Sequence, residues 1–186
     1  MKVIYLHHQE NELIKLATEN NRQAQQQIYT HFSPKMLGVC RQYIKDVHQA
    51  EDNMITAFMK VFVNIKNFEN KGSFEGWIRR IMVNECISFI RVQKKIKYVE
   101  DETYFEESFN NIESQFSTDD IQSLIDSLPD GYKTVFNLYA IEGFKHKEIA
   151  SMLEINEGTS KSQLSHARKM LQIQINKLKN YEYGTE

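Results

Sequence analysis

The residues with the clearest chemical potential lie in one stretch near the C-terminus. Thr159, Ser160, Lys161, Ser162, Gln163, Ser165, His166, Arg168 and Lys169 open a helix expected to run to about Lys179, with Ser160 to Lys169 largely on its outward face. Lys and Arg neutralise phosphates and release counterions, while Gln, Ser and Lys can meet base edges in the major groove. The helix N-terminus adds backbone N–H donors for a phosphate. Between Thr159 and Lys179 there is no acid, against Lys161, Arg168, Lys169, Lys177 and Lys179. The alternative is a solvated basic face on an ordinary helical hairpin. The preceding turn with Gly158 and the absence of acids favour duplex DNA.

A second stretch, residues 72–97, carries Arg79, Arg80, Arg91, Lys94, Lys95 and Lys97 against Glu75 and Glu85, with Trp77 inside it and Phe68 in the loop before it. Basic groups beside aromatics suit single-stranded DNA, whose bases can stack or be pocketed. Trp77 also falls on an apolar stripe, which makes it a core residue at least as readily as a stacking platform. A third surface, on a helix from about Ala50, presents Glu51, Asp52, Asn53, Thr56 and Lys60. It is too acidic for DNA and by itself reads as a solvated face.

Other chemistries find no foothold. Cys40 and Cys86 each sit inside an apolar periodic stretch and read as reduced core thiols. None of the six histidines lies at metal spacing to a cysteine. No Gly-rich phosphate loop, nucleophile elbow or His-Glu-x-x-His occurs, so no enzyme, metal, cofactor or small-molecule substrate is expected. No apolar run approaches the roughly 20 residues of a bilayer span, and the N-terminus lacks a secretory signal, so a cytoplasmic protein without membrane insertion is expected.

The elements that must position these residues are helical. Gly (7) and Pro (2) are too scarce among 186 residues for the turns of an all-β fold. Apolar stripes recur at helical spacing: Leu13, Ile14 and Ala17; Ala24, Ile28 and Phe32; Leu37, Cys40, Tyr43 and Ile44; then Met54, Ala57, Phe58, Val61, Phe62 and Ile65. Asn20-Asn21 forms a break, Ser33-Pro34 can interrupt or restart the second helix, and residues 46–49 connect to the third. After a loop at 67–73, Ser73 is a good N-cap for a helix with Trp77, Ile78, Ile81, Ile87 and Ile90 inward. Farther on, Ile121, Leu124, Ile125 and Leu128 stop at Pro129-Asp130-Gly131, and Val135, Phe136, Leu138 and Tyr139 continue to about Gly143. Lys147 to Leu153, a turn at 155–158 and the basic helix then make a helix-turn-helix, with Leu164, Ala167, Leu171, Ile175 and Leu178 as the inner stripe.

The net charge of −2 conceals an asymmetry. Residues 98–120 hold eight acids (Glu100, Asp101, Glu102, Glu106, Glu107, Glu113, Asp119, Asp120) and no Lys or Arg. Without those eight, 17 acids face 23 bases, a net of +6. From residue 98 to about 118 this polar, aperiodic stretch reads as a linker. The organisation expected is all-α: an N-terminal helical bundle over 1–97, an acidic linker over 98–118 and a C-terminal helix-turn-helix domain over 119–186.

Three runs, in this order, resemble the extracytoplasmic-function type of bacterial RNA polymerase sigma factor. They are Ala50-Glu51-Asp52 leading to Ala57-Phe58-Met59-Lys60-Val61-Phe62; Gly72-Ser73-Phe74-Glu75-Gly76-Trp77-Ile78-Arg79-Arg80-Ile81 followed by Asn84; and Leu128-Pro129 through Glu148-Ile149-Ala150 to Glu157-Gly158-Thr159-Ser160-Lys161-Ser162-Gln163-Leu164. The resemblance spans about residues 11–175. It implies that Glu51, Asp52, Thr56, Phe58 and Lys60 bind the clamp helices of the polymerase core. It assigns melted −10 DNA to Phe68, Asn70, Lys71, Ser73, Trp77, Arg80, Asn84 and Arg91, and the −35 duplex to the face from Thr159 to Lys169. It also implies contact with the polymerase flap, an anti-sigma partner, and a linker threaded toward the RNA exit path.

The chain departs from the family pattern at several positions. Ile55-Thr56 stands where Gln-Glu is common, Ser88 where Asp is common, and Gln163 and His166 where Arg is frequent. Weaker phosphate anchoring and a distinct −35 preference are expected from the last two. Two rival readings are a helix-turn-helix regulator that never joins polymerase and a sigma-like decoy that binds only an anti-sigma protein. The run from Ala50 to Phe62 speaks against the first, and the acid-free basic helix against the second.

Overall fold

The computed structural model describes residues 2–93 and 117–182, and among the described residues every regular element is a helix. The chain divides into two compact units, Met1–Val92 and Gln93–Glu186. The strip at 98–116 lies outside the described residues.

In the first unit, α1 (Lys2–Thr18) ends where expected, with Asn20 in the left-handed region at φ +62°. Asn21 then caps α2 (Arg22–Tyr43), its side-chain oxygen accepting from the Ala24 N–H at 3.0 Å. Pro34 lies inside α2, and of the interruption or restart that Ser33-Pro34 can cause neither occurs. A mid-helix proline costs about 3 kcal/mol. The buried side chains on either side of it, Ile28, Phe32, Met36 and Val39, each contribute about 1.5–3 kcal/mol, and that outweighs the loss.

Helix α3 (Val47–Asn64) starts three residues before Ala50, because the Asp46 carboxylate accepts from the Gln49 N–H at 2.8 Å. A 3₁₀ turn (Ile65–Asn67) and the loop lead to α4 (Phe74–Val92), where Ser73 Oγ accepts from the Gly76 N–H at 3.1 Å, as its N-cap chemistry predicts. The buried face of α4 is Phe74, Ile78, Met82, Val83, Cys86, Ile87 and Ile90. Trp77 and Ile81 lie only half-buried at its edge. Lys35–Glu75 (2.5 Å) ties α2 to α4, and Lys60–Glu85 ties α3 to α4.

In the second unit, Ser117 and Asp120 form a reciprocal capping box at the start of α5 (Thr118–Asp126), one residue before the domain start expected at 119. Helix α6 (Asp130–Phe136) widens into a π-turn (Asn137–Ile141) and stops at Gly143, φ +77°. Helix α7 (His146–Leu153) ends on Glu154 in the left-handed region, and α8 spans Glu157–Glu182. The core is Ile125, Leu128, Val135, Leu138, Ile149, Leu153, Leu164 and Ala167. Along α8 the apolar stripe thins, with Leu171 and Ile175 half-buried and Leu178 exposed. Among the described residues no helix is long and apolar enough to cross a membrane.

Candidate nucleic-acid interface

The loop before α4 is shaped by two unusual backbone residues, Asn70 (φ +54°) and Gly72 (φ +137°). Only glycine adopts the latter conformation without strain. The loop closes over an open cavity of about 380 Å³ lined by Asn67, Phe68, Glu69, Lys71, Gly72, Ser73, Gly76, Trp77 and Arg80. Its aromatic wall is continuous with the core. Phe68 lies 5.1 Å from Phe74 and 5.6 Å from Trp77, and Phe74 stacks on Trp77 at 5.8 Å between ring centroids. The cavity therefore has an apolar, π-rich side fixed by packing. Its other side carries Arg80 and a Lys71–Glu69 ion pair (2.6 Å).

Trp77, Arg80, Asn84 and Arg91 follow at i, i+3, i+7 and i+14, which places them on one side of α4. Arg80, Asn84 and Arg91 are exposed. The Asn84 carbonyl accepts from the Ser88 hydroxyl at 2.9 Å. The cavity thus brings together Phe68, Lys71, Ser73, Trp77 and Arg80 of the expected set, while Asn70, Asn84 and Arg91 are not among its lining residues. The expected set did not include the lining residues Asn67, Glu69, Gly72 and Gly76. A loop rich in Asn and Gly next to an aromatic was the available signal.

On α3, Asp52, Ile55, Thr56, Met59, Lys60 and Val63 share the outer side, and Thr56 Oγ donates to the Asp52 carbonyl at 2.9 Å. Glu51 is half-buried beside them. Phe58 is not on this surface. It is buried edge-on against Tyr29 (4.9 Å) and stacked with Phe62 (6.1 Å), because its phase on α3 faces the bundle, and its assignment to a partner surface is corrected. The sequence reading missed an apolar ridge along the same side: Ile55, Met59 and Val63 are 49%, 64% and 76% exposed. Their i, i+4, i+8 spacing was visible, but the flanking acids led to a solvated-face reading.

On α8, the expected outward face is narrower than predicted. Ser160 is fully buried, its hydroxyl 3.0 Å from His146 Nδ1, because it lies one turn before Leu164 on the inner stripe. Thr159 and Gln163, four residues apart on one flank of that stripe, are also buried, and the Thr159 N–H donates to the capping Asn156 side chain at 2.6 Å. Ser162, off the inner stripe, is buried as well. The outward assignments of Thr159, Ser160, Ser162 and Gln163 are therefore corrected. Lys161, Ser165, His166 and Arg168 are half-exposed and Lys169 is exposed.

Aromatic and ionic contacts order this face. Arg168 lies over the Tyr139 ring at 5.5 Å, Tyr139 stacks on His146 at 4.6 Å, and His166 stacks on Tyr132 at 5.5 Å. Burial, and then the positive charge of Lys161, hold the His146 imidazole below the ordinary histidine value. Lys161 pairs with Glu157 at 2.9 Å and, by hydrogen bond and charge, holds that carboxyl below its usual range. Among the described residues no cluster of His, Cys, Asp and Glu could hold a metal ion.

Comparison with known proteins divides the chain in the same way. Residues 28–96 match the family model for Sigma-70 region 2, and residues 118–171 match that for Sigma-70, region 4. The chain is 32% identical over 135 residues to the RNA polymerase sigma factor SigV of Bacillus subtilis, covering 73% of this chain and 81% of that one. It is 30% identical to the ECF RNA polymerase sigma factor SigW of the same organism, covering 89% and 96%. Among solved structures, it aligns with the sigma factor RpoE from Bartonella quintana, solved in complex with the anti-sigma factor NepR. That match has 22% identity and a TM-score of 0.49, over 81% of this chain and 96% of that one.

Proposed function

The chain belongs to the extracytoplasmic-function RNA polymerase sigma factors of the sigma-70 family, and from that membership we propose how its surfaces divide the work of promoter recognition. The outer side of α3 docks on the polymerase core. Its ridge of Ile55, Met59 and Val63 supplies apolar area, with Asp52, Thr56 and Lys60 as the polar flank. The cavity below the loop at 67–73 receives an unstacked base from the melted −10 strand. Phe68 and Trp77 offer the stacking surface, and Arg80, Asn84 and Arg91 follow the strand along α4. Helix α8 enters the −35 major groove, where Lys161, Arg168 and Lys169 neutralise phosphates and Ser165 and His166 lie nearest the base edges.

Neither unit suffices alone. Joining two weak DNA sites raises the effective concentration of each for the other. No step of the chemistry belongs to this chain, since the polymerase makes the phosphodiester bond. An anti-sigma protein is the expected antagonist.

The observation that carries this reading is the aromatic-walled cavity beside the exposed stripe of α4. A helix-turn-helix regulator acting alone binds duplex and has no use for a base pocket in a separate unit. The test is permanganate reactivity of promoter thymines with purified polymerase core. Reactive thymines confined to the −10 region, and present only when the chain is added, support the reading. Protection at −35 without melting would reduce the chain to a duplex-binding protein.

A further inference from the structure

Ser160 and Arg168 lie about two turns apart on α8, and three contacts through other elements connect them. The buried Ser160 hydroxyl is 3.0 Å from Nδ1 of His146 at the start of α7. The His146 ring stacks on Tyr139 of the π-turn, with 4.6 Å between centroids and 23° between planes. The Arg168 guanidinium carbon lies 5.5 Å from the centroid of the same Tyr139 ring, within the range of a cation–π contact. Tyr139 is half-buried and outside the core of the unit, and π-turns within helices occur frequently at functional sites. We propose that Tyr139 is a positioning residue for DNA binding: its ring, held by His146 and through it by Ser160, orders Arg168 for a backbone phosphate. The proposal rests on the reading of α8 as the duplex-binding helix and adds how one of its cations is held.

The contrast with Lys161 shows what the ring contributes. Lys161 and Arg168 are seven positions apart, so they lie on the same side of α8. Lys161 pairs with the Glu157 carboxylate at 2.9 Å. That partner carries a negative charge, which offsets the cation and repels an approaching phosphate. An aromatic ring attracts a cation through its quadrupole and carries no net charge, so the pull on a phosphate is retained. An arginine that rotates freely loses rotamer entropy when a phosphate fixes it, and one already ordered loses less. The guanidinium donors lie in its plane, so contact through a ring face and bidentate bonding to phosphate use different parts of the group.

His146 suits the supporting place because it is neutral at pH 7. Burial, and then the charge of Lys161, hold its imidazole below the ordinary histidine value, so no second cation competes with Arg168 for the ring.

The experiment measures fluorescence anisotropy of the full chain on a short labelled duplex, selected for binding to that chain from a random pool, over a series of salt concentrations. Arg168→Gln should weaken binding and flatten the slope of log K against log salt by about 0.9. Tyr139→Leu should weaken binding about 2- to 5-fold in the parent chain and add nothing to Arg168→Gln, because the ring acts only through that side chain. Tyr139→Phe keeps the ring and should restore the parent affinity. An equal loss from Tyr139→Leu in both backgrounds would overturn the proposal, since general damage to the unit produces that pattern. So would a Tyr139→Phe chain as weak as Tyr139→Leu. Normal binding by Tyr139→Leu beside a weakened Arg168→Gln would overturn the proposal and leave the reading of α8 intact. Failure to select any duplex, or no effect of Arg168→Gln, would remove Arg168 as a phosphate contact and the proposal with it. If Tyr139→Leu does not fold, NMR relaxation at the arginine side-chain Nε of the unmodified chain decides. Arg168 should be more ordered than the exposed Arg41 on α2, and equal order would overturn the proposal.

Discussion

Replacing Phe68 by leucine separates base stacking from stability. The ring is half-buried and meets two aromatic neighbours, Phe74 at 5.1 Å and Trp77 at 5.6 Å. Truncation to alanine would forfeit both ring pairs, about 0.5–1.5 kcal/mol each, plus part of the apolar burial, a large share of a domain's stability. Leucine keeps most of the volume, and a swap of that kind costs under about 1.5 kcal/mol. For a unit of this size that lowers the melting temperature by at most roughly 12 °C, so the variant stays folded at 25 °C. Stacking of a base on an aromatic ring is worth about 1–3 kcal/mol, and leucine does not replace it. The expected result is a loss of about 5- to 150-fold in affinity for DNA with an unpaired −10 strand. Fluorescence anisotropy of the polymerase complex on a fork-junction oligonucleotide measures this, with fully paired −35 duplex as the internal control. An unchanged fork affinity in a folded Phe68→Leu variant would refute the stacking role. An equal loss on duplex would show that the damage is general.

Three further outcomes follow from the same geometry. Met59→Glu combined with Val63→Glu should weaken co-elution with polymerase core at least tenfold while shifting the melting temperature little, since both side chains are mostly exposed. Because the folded-state value of His146 lies below the ordinary one near 6.5, the unfolded chain takes up that proton first as pH falls. Its contribution is therefore intact above about pH 6.5 and is lost as pH drops through that value toward the folded one. Melting of the second unit should show this dependence between pH 5 and 7, and His146→Gln should remove it. Asp46→Ala deletes the cap on the Gln49 N–H and should cost about 1 kcal/mol in urea unfolding, against near-zero change for Asp46→Asn.

The parts of the fold that were legible in the sequence depend on local chemistry. Ser73 caps α4 because a short polar side chain reaches an N–H three residues on, and its type and place announce that; Asn21 and Asp46 cap α2 and α3 by the same chemistry but read only as a break and a connection. The helix-turn-helix was legible from the period of Ile149, Leu153, Leu164 and Ala167. The continuity of α2 through Pro34 was not legible, because the local penalty is overridden by burial that only the assembled bundle supplies. The burial of Ser160 and Gln163 was missed for a related reason. Polar residues were assigned outward by type, although the phase set by Leu164 already pointed Ser160 inward. Phe58 was assigned to a partner surface although its phase with Ala57 and Val61 placed it in the core. The Asn53–Cys86 contact had no local signal at all, since it depends on how α3 and α4 cross.

The central claim is that this chain directs polymerase core to promoters of its own. The direct test is run-off transcription with purified core on fragments of the source genome, with and without the chain. The account predicts discrete transcripts that appear only with the full chain and vanish when residues 130–186 are removed. Duplex binding by the chain, with neither transcripts nor association with core, would contradict it.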